Sequence, residues 1–153
     1  MHCRLMGALP IGALLIAGLL VAGCGSSSSS TTTATTAALT KAEFASRGNA
    51  ICKAGNLANE KAGKSLGNNP SKSEFEKYVT DSAVPTIQTQ ITAIAALRAP
   101  AEYEATQQEV VKTAQATLDE LKAKPALLGT KGLFASTNKL AAKIGLTSCA
   151  AES

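Results

Sequence analysis

The residues that could carry out chemistry are few, because the chain of 153 residues has four cysteines and a single histidine, His2. A Ser-His-Asp triad or a Cys-His dyad needs an imidazole beside its nucleophile. Zinc sites use cysteine and histidine at short spacings, and the sequence contains no Cys-x-x-Cys pair. The places of His2 and of the cysteines in the chain therefore decide which of these chemistries are available.

The N-terminus has the pattern of an export signal. Arg4 precedes an uncharged, mostly apolar run of 16 residues, 5–20. As a helix this run would be about 24 Å long, at ~1.5 Å per residue, which is shorter than the ~30 Å hydrocarbon core of a bilayer. Pro10 and three glycines weaken it further as a membrane span. The pattern favours a secretory signal over a transmembrane anchor.

The run ends in Val21-Ala22-Gly23-Cys24, which resembles the bacterial lipoprotein box. In such a box the cysteine thiol takes a diacylglyceryl group as a thioether, and the small residues before it leave room for a peptidase. We therefore predict a lipoprotein signal peptide over residues 1–23 and a mature chain that begins at lipidated Cys24. Two alternatives are an ordinary secretory cut that leaves Cys24 as a thiol, and a retained transmembrane helix.

Cleavage before Cys24 would remove His2 and with it the only imidazole. We accordingly predict no catalytic residue, no metal site, no cofactor and no enzymatic activity. The formal net charge is +4, and loss of Arg4 would leave +3. Because positive and negative residues are interspersed, with no basic stripe between aromatic residues, we expect no nucleic-acid partner.

Residues 24–38 are predicted to be a disordered tether between the lipid and the rest of the chain. After Cys24 the sequence reads GSSSSSTTTATTAA, without charge or large apolar side chains. Nothing in such a segment can offset the entropy lost on ordering. It would act as a bare spacer or, through its hydroxyl groups, as an acceptor of sugars.

Residues 39–153 are predicted to form a helical domain. Thr40 and Glu43 match a capping box, as do Ser71 and Glu74. The apolar residues that follow each box recur at three- and four-residue intervals, which is typical of one face of a helix. The positions predicted to face inward include Phe44, Gly48, Ile51, Gly55, Ala58 and Ala62 in the first helix, and Tyr103, Val110, Ala114, Thr117 and Leu121 in the third.

Prolines and one glycine divide this domain into four helices. Pro85 lies inside the second helix and predicts a bend or a break near Ser82. Pro100 and Pro125 separate the second, third and fourth helices, and Gly145 stands where the last helix needs a left-handed cap. We expect an all-α domain, an antiparallel four-helix bundle with one helix bent at Pro85.

Cys52 and Cys149 are the cysteines left once Cys3 is cleaved off and Cys24 carries lipid. In an exported protein, oxidation of the pair is favoured, so we predict a disulfide. Two buried thiols, or a redox or metal-binding pair, are the alternatives. In an up-and-down bundle, the residues before Cys149 would have to run back along the first helix in extended form to reach Cys52.

Three sequence patterns together are similar to small secreted and lipid-anchored helical proteins of actinobacteria. They are Lys41-x-Glu43-Phe44 with Ala50-Ile51-Cys52, Leu97-x-x-Pro100-x-x-Tyr103, and Ile144-Gly145-Leu146-x-x-Cys149. The aspartate that this family carries near the first cysteine is Asn49 here. The resemblance implies export, an α-helical domain and a bond between Cys52 and Cys149, and it supplies no catalytic residues.

The function predicted from these features is that of an exported protein anchored by lipid in a bacterial cell membrane, with its domain on the extracytoplasmic side. The domain would bind an envelope protein, a wall polymer or an apolar ligand. A purely structural or stress-related envelope component is the alternative, and an enzyme is the less favoured third class.

Overall fold

The computed structural model describes residues 37–150, and all regular secondary structure in that range is helical. The prediction of an all-α domain is therefore confirmed for this part of the chain. The α-helices are α1 (Lys41–Lys64), α2 (Lys72–Tyr78), α3 (Val84–Ala95), α4 (Ala101–Ala123) and α5 (Ala135–Lys143). Within the same residues, no helix is both long enough and apolar enough to cross a membrane.

Both predicted capping boxes are present. The Thr40 hydroxyl accepts from the Glu43 amide, and the Glu43 carboxylate accepts from the Thr40 amide at 3.0 Å. Ser71 and Glu74 make the same exchange at the start of α2. These hydrogen bonds hold the pKa of both glutamates below its ordinary value, because they favour the ionised carboxylate.

The helix that contains Pro85 is interrupted, as predicted, and the interruption takes the form of a π-turn. Residues Val79–Ala83 form this turn between α2 and α3, and Pro85 lies in the first turn of α3. The Val84 amide donates to the Val79 carbonyl, five residues back. Because a proline ring clashes with the carbonyl four residues earlier in an α-helix, a wider turn at this point relieves that conflict.

The end of α5 is closed by Gly145, which has a φ of +78°. The Leu146 amide donates to the Ala141 carbonyl at 3.0 Å, and the Gly145 amide donates to the Ala142 carbonyl at 3.1 Å. This pair of bonds is the Schellman motif expected of a glycine cap. It turns the chain so that the Leu146 side chain is fully buried.

The buried apolar residues form two separate clusters. The disulfide cluster contains Phe44, Cys52, Ile94, Ala99, Val110, Ala141, Ile144 and Leu146. The π-turn cluster contains Val79, Ile91, Ala114, Leu118 and Leu121. Helices α3 and α4 contribute to both clusters, whereas α1 and α5 contribute buried apolar residues to the disulfide cluster only.

The predicted inward face of α1 is correct except at Ala58. Phe44, Gly48 and Gly55 are buried, and Ile51 and Ala62 are partly buried. Ala58 is exposed, and the partly buried Asn59 takes the inward place. In α4 the buried Gln107, which the apolar pattern did not include, donates to the Ile94 carbonyl at 2.6 Å and to the Leu97 carbonyl at 2.8 Å. It thereby adds side-chain hydrogen bonds to two carbonyls at the end of α3, where helical pairing stops.

Candidate ligand cavity and the disulfide beside it

Cys52 and Cys149 lie at disulfide-bonding distance, with their Cα atoms 5.0 Å apart. This distance confirms the prediction that the two cysteines are placed to form a disulfide. Cys52 is buried in α1, and Cys149 is partly buried in the turn that follows α5. The remaining predicted site residues, Val21, Ala22, Gly23 and Cys24, lie outside the described residues, as does most of the predicted tether.

The segment that carries Cys149 is a turn, and the expectation of an extended strand of chain was wrong. The Cys149 amide donates to the Leu146 carbonyl at 3.1 Å. No long reach is needed, because α5 ends beside the second turn of α1: the place of a Cβ on Gly145 lies 3.3 Å from Ala45 Cβ. Gly48 makes this approach possible, since a Cβ there would overlap Leu146 Cδ2, far inside van der Waals contact.

Two asparagines of α1 hold this turn in place. The Asn49 amide donates to the Gly145 carbonyl at 2.8 Å and accepts from the Ser148 amide at 2.7 Å. Seven residues later, Asn56 donates to the Ser148 carbonyl at 3.0 Å. Asn49 satisfies one donor and one acceptor with a single side chain, which an aspartate could not do because a carboxylate only accepts.

A cavity of about 320 Å³ lies between the two hydrophobic clusters. Residues of both clusters line it, and the Cys52–Cys149 pair forms part of its wall. Pockets that bind small molecules are typically ~300–1,000 Å³, so this cavity is at the small end of that class. The lining residues outside the clusters are Asn56, Asn59, Ile87, Gln90, Val111, Leu128, Thr130, Lys131, Gly132, Leu133, Phe134, Thr137, Asn138 and Cys149.

The floor of the cavity is apolar. It is formed by isoleucines of α3 (Ile87, Ile91 and Ile94) and by Val110, Val111 and Ala114 of α4. The side formed by residues 128–134 adds leucines and one aromatic ring. A molecule that displaces water from this floor gains the hydrophobic free energy of the buried area, about 25 cal/mol per Å².

The side of the cavity formed by α1 and α3 is polar, and most of its polar groups are already paired. Gln90 donates to the Cys52 carbonyl at 3.0 Å, and Asn56 is held by Ser148 as described above. Asn59 differs, because its Oδ1 atom is buried and has no hydrogen-bond partner within the part of the chain that the structure describes. Leaving such an atom unpaired costs stability, because it has lost its hydrogen bonds to water without gaining others.

Lys131 is the single charged side chain among the described residues that line the cavity. It belongs to the connection between the short 3₁₀ turn Pro125–Gly129 and α5, and it is exposed. It makes no ion pair with a carboxylate of residues 37–150. The cavity therefore has an apolar floor, a polar side and one positive charge that reaches water.

The sequence predicted the cysteines in this wall but not the cavity itself. Its signal is the set of polar residues at inward positions of the helices, Asn56, Asn59 and Gln90, which interrupt the apolar faces. Within residues 37–150 there is no cluster of histidine, cysteine, aspartate and glutamate side chains that could hold a metal ion. Comparisons of the chain with protein-family models, with curated proteins and with solved structures find no match.

Proposed function

We propose that this protein is a lipid-anchored protein of a bacterial cell envelope, whose helical domain binds an apolar small molecule in the cavity between its two hydrophobic clusters. The observation that carries the proposal is the cavity itself. It is a cleft of about 320 Å³ that opens to solvent and is lined mostly by apolar side chains, with a polar side formed by α1 and α3. Sites for small molecules are concave, mostly apolar and ~300–1,000 Å³ in volume, so this cleft has the size and character of a ligand site.

An antiparallel four-helix bundle is the architecture that we propose for the domain. Contacts along α1 and just before it support this architecture: Leu39 donates to the Arg98 carbonyl, Gln90 to the Cys52 carbonyl, and Tyr78 to the Asn59 carbonyl. As residue numbers rise along α1, the residue numbers of the hydrogen-bonding partners fall, which is the order expected of antiparallel helices. The same holds between α3 and α4, where Ile94 pairs with Gln107 and Gln88 with Gln115.

A binding role is proposed rather than a catalytic one because of the groups in the cavity wall. None of its described lining residues is an aspartate, glutamate or histidine, and its cysteines are paired with each other. The carboxylates whose pKa is shifted, such as Glu60 and Asp119, are exposed, and their pKa is lowered by ion pairs and hydrogen bonds on helix surfaces. A general acid or base needs a pKa moved toward neutrality within a pocket.

Titration with a neutral apolar dye, N-phenyl-1-naphthylamine, tests the binding role. We expect saturable fluorescence enhancement with one site per chain. The variant Ala114→Leu should abolish it, because Ala114 is buried in the cavity floor and a leucine would fill the space. The matched control is Ala116→Leu, an exposed position two residues along the same helix. Equal binding by both variants, or none by the native domain, would refute the proposal.

The membrane anchor is proposed from Val21-Ala22-Gly23-Cys24. Two acyl chains hold a protein stably on a bilayer, whereas one holds it marginally. Replacement of Cys24 by alanine should move the protein from the detergent phase to the aqueous phase when expressing cells are fractionated. The control is Cys52→Ala, which removes a thiol of the domain and should leave the partitioning unchanged. A C24A variant that has lost residues 1–23 and still partitions with detergent would contradict the lipid anchor.

A further inference from the structure

We infer that the natural ligand is a single-chain amphiphile with an anionic head group, which Lys131 holds at the mouth of the cavity. This inference rests on the proposed ligand-binding function and gives that ligand a chemical class. Three observations lead to it: the size of the cavity, the character of its floor, and the sign of the charge at its edge.

The size points to one chain. The cavity volume of about 320 Å³ lies at the lower limit of the ~300–1,000 Å³ that is typical of small-molecule sites. A site at that limit suits a ligand with one chain better than a lipid with two long chains. The polar end of the chain would then lie outside the apolar floor.

The floor points to an aliphatic chain. Three isoleucines of α3 and two valines of α4 face the cavity together with Ala114. Branched aliphatic side chains offer a continuous apolar surface without donors or acceptors, so that hydrocarbon is bound by displacement of water alone. The single aromatic ring of the wall, that of Phe134, belongs to the other side.

The charge points to an anionic head. Lys131 lines the cavity while remaining exposed, so its aliphatic stem can lie along the apolar wall with the ammonium group in water. It has no carboxylate partner within residues 37–150, and none of the described lining residues is acidic. The Thr130 hydroxyl beside it adds a second donor. A carboxylate or a phosphate would complete this arrangement, whereas a cationic head would be repelled.

Isothermal titration with four twelve-carbon probes tests the inference: dodecanoate, dodecyl phosphate, dodecanol and dodecyltrimethylammonium, each kept below its micellar concentration. We expect at least one of the anions to bind about fivefold more tightly than dodecanol, as for a solvent-exposed ion pair, and the cation to bind most weakly. The comparison of dodecanoate with dodecyl phosphate shows whether the head group is a carboxylate or a phosphate. Added salt should reduce the preference, since the pair is exposed to solvent.

Lys131→Gln should bring the anions to the affinity of dodecanol and leave dodecanol binding unchanged. The matched control is Lys139→Gln, which removes an exposed lysine of α5 that does not line the cavity and should keep the preference. Equal affinities for the four probes, or an anion preference that survives in K131Q, would overturn the inference while N-phenyl-1-naphthylamine binding still upheld the proposed function. Failure of the four probes and of the neutral dye would overturn both.

Discussion

The two hydrophobic clusters are held together in different ways. The disulfide cluster is fixed by the Cys52–Cys149 pair, by the Schellman turn at Gly145 and by the hydrogen bonds of Asn49. The π-turn cluster depends on apolar packing around Leu118 and Leu121, both fully buried. The cavity lies between these two clusters, and residues of both line it. One end of this small domain is thus fixed by directional and covalent contacts and the other mainly by packing.

Of the changes that test this comparison, removal of the disulfide should lower the unfolding free energy the most. The bond spans a sequence separation of 97 residues, and closure of a loop of that length stabilises a fold by about 4.7 kcal/mol in the chain-entropy model. We expect the double variant Cys52→Ala/Cys149→Ala to lose that much unfolding free energy in urea titrations. Native protein treated with dithiothreitol serves as the control and should unfold at a similar urea concentration. An unchanged midpoint in both samples would show that the cysteines are not bonded.

Truncation of a leucine in the π-turn cluster should cause the second-largest loss of stability. Leu118→Ala removes a fully buried side chain and should cost about 3 kcal/mol, within the range for leucine truncation in cores. Because the cavity separates the clusters, we expect backbone amides around Val79 and Leu121 to lose more hydrogen-exchange protection than those around Phe44. Equal losses at the two ends would contradict the division and indicate one cooperative core.

A pair of glycine variants in α1 compares the close approach at the disulfide cluster with a looser one near Tyr78. Gly48→Ala would press its Cβ into Leu146 Cδ2 and should destabilise the domain by about 1–2 kcal/mol. Gly63→Ala meets only the Tyr78 ring, at 3.6 Å or more, and should stabilise it by about 0.5 kcal/mol through helix propensity. Thermal melts of the two variants measure both changes. Stabilisation by both substitutions would show that Leu146 moves aside freely.

Lowering the pH should have the smallest effect on stability, and it should act on the capping boxes of both α1 and α2. The pKa of Glu43 and of Glu74 is lowered by their capping-box hydrogen bonds, from an ordinary value of 4.5. The boxes therefore stabilise the fold at neutral pH, and this contribution is lost as the pH falls through the lowered folded-state values. We expect Thr40→Ala and Ser71→Ala to lower the melting temperature at pH 7 and to matter less near pH 3. A destabilisation that is the same at both pH values would show that the carboxylates do not take part.

The helical part of this structure could be predicted from local signals. Capping boxes, prolines and Gly145 act within a few residues of where they stand, so they mark the helix ends directly. The π-turn could be predicted only in part. Pro85 predicted that the helix is interrupted, but the form of that interruption depends on packing against other helices. The inward place of Asn59 was missed because the apolar period gives no weight to a polar residue in a core.

The candidate site was harder to predict, for a physical reason. The pairing of Cys52 with Cys149 followed from a count of cysteines, whereas the cavity depends on distances between residues of α1, α3, α4 and the segments around α5. Nothing local marks Lys131 as different from the other exposed lysines. Its significance comes from lying at the edge of an apolar space.

Methyl NMR spectra of the isoleucines during titration with N-phenyl-1-naphthylamine test the central claim most directly. Ile87, Ile91 and Ile94 line the cavity, whereas Ile144 is buried in the disulfide cluster outside the cavity lining and serves as an internal control. The account predicts saturable shifts of the three cavity methyl resonances, from ring currents of the bound dye, with Ile144 unmoved. Unchanged spectra, or equal shifts at all four residues, would contradict a ligand site between the clusters.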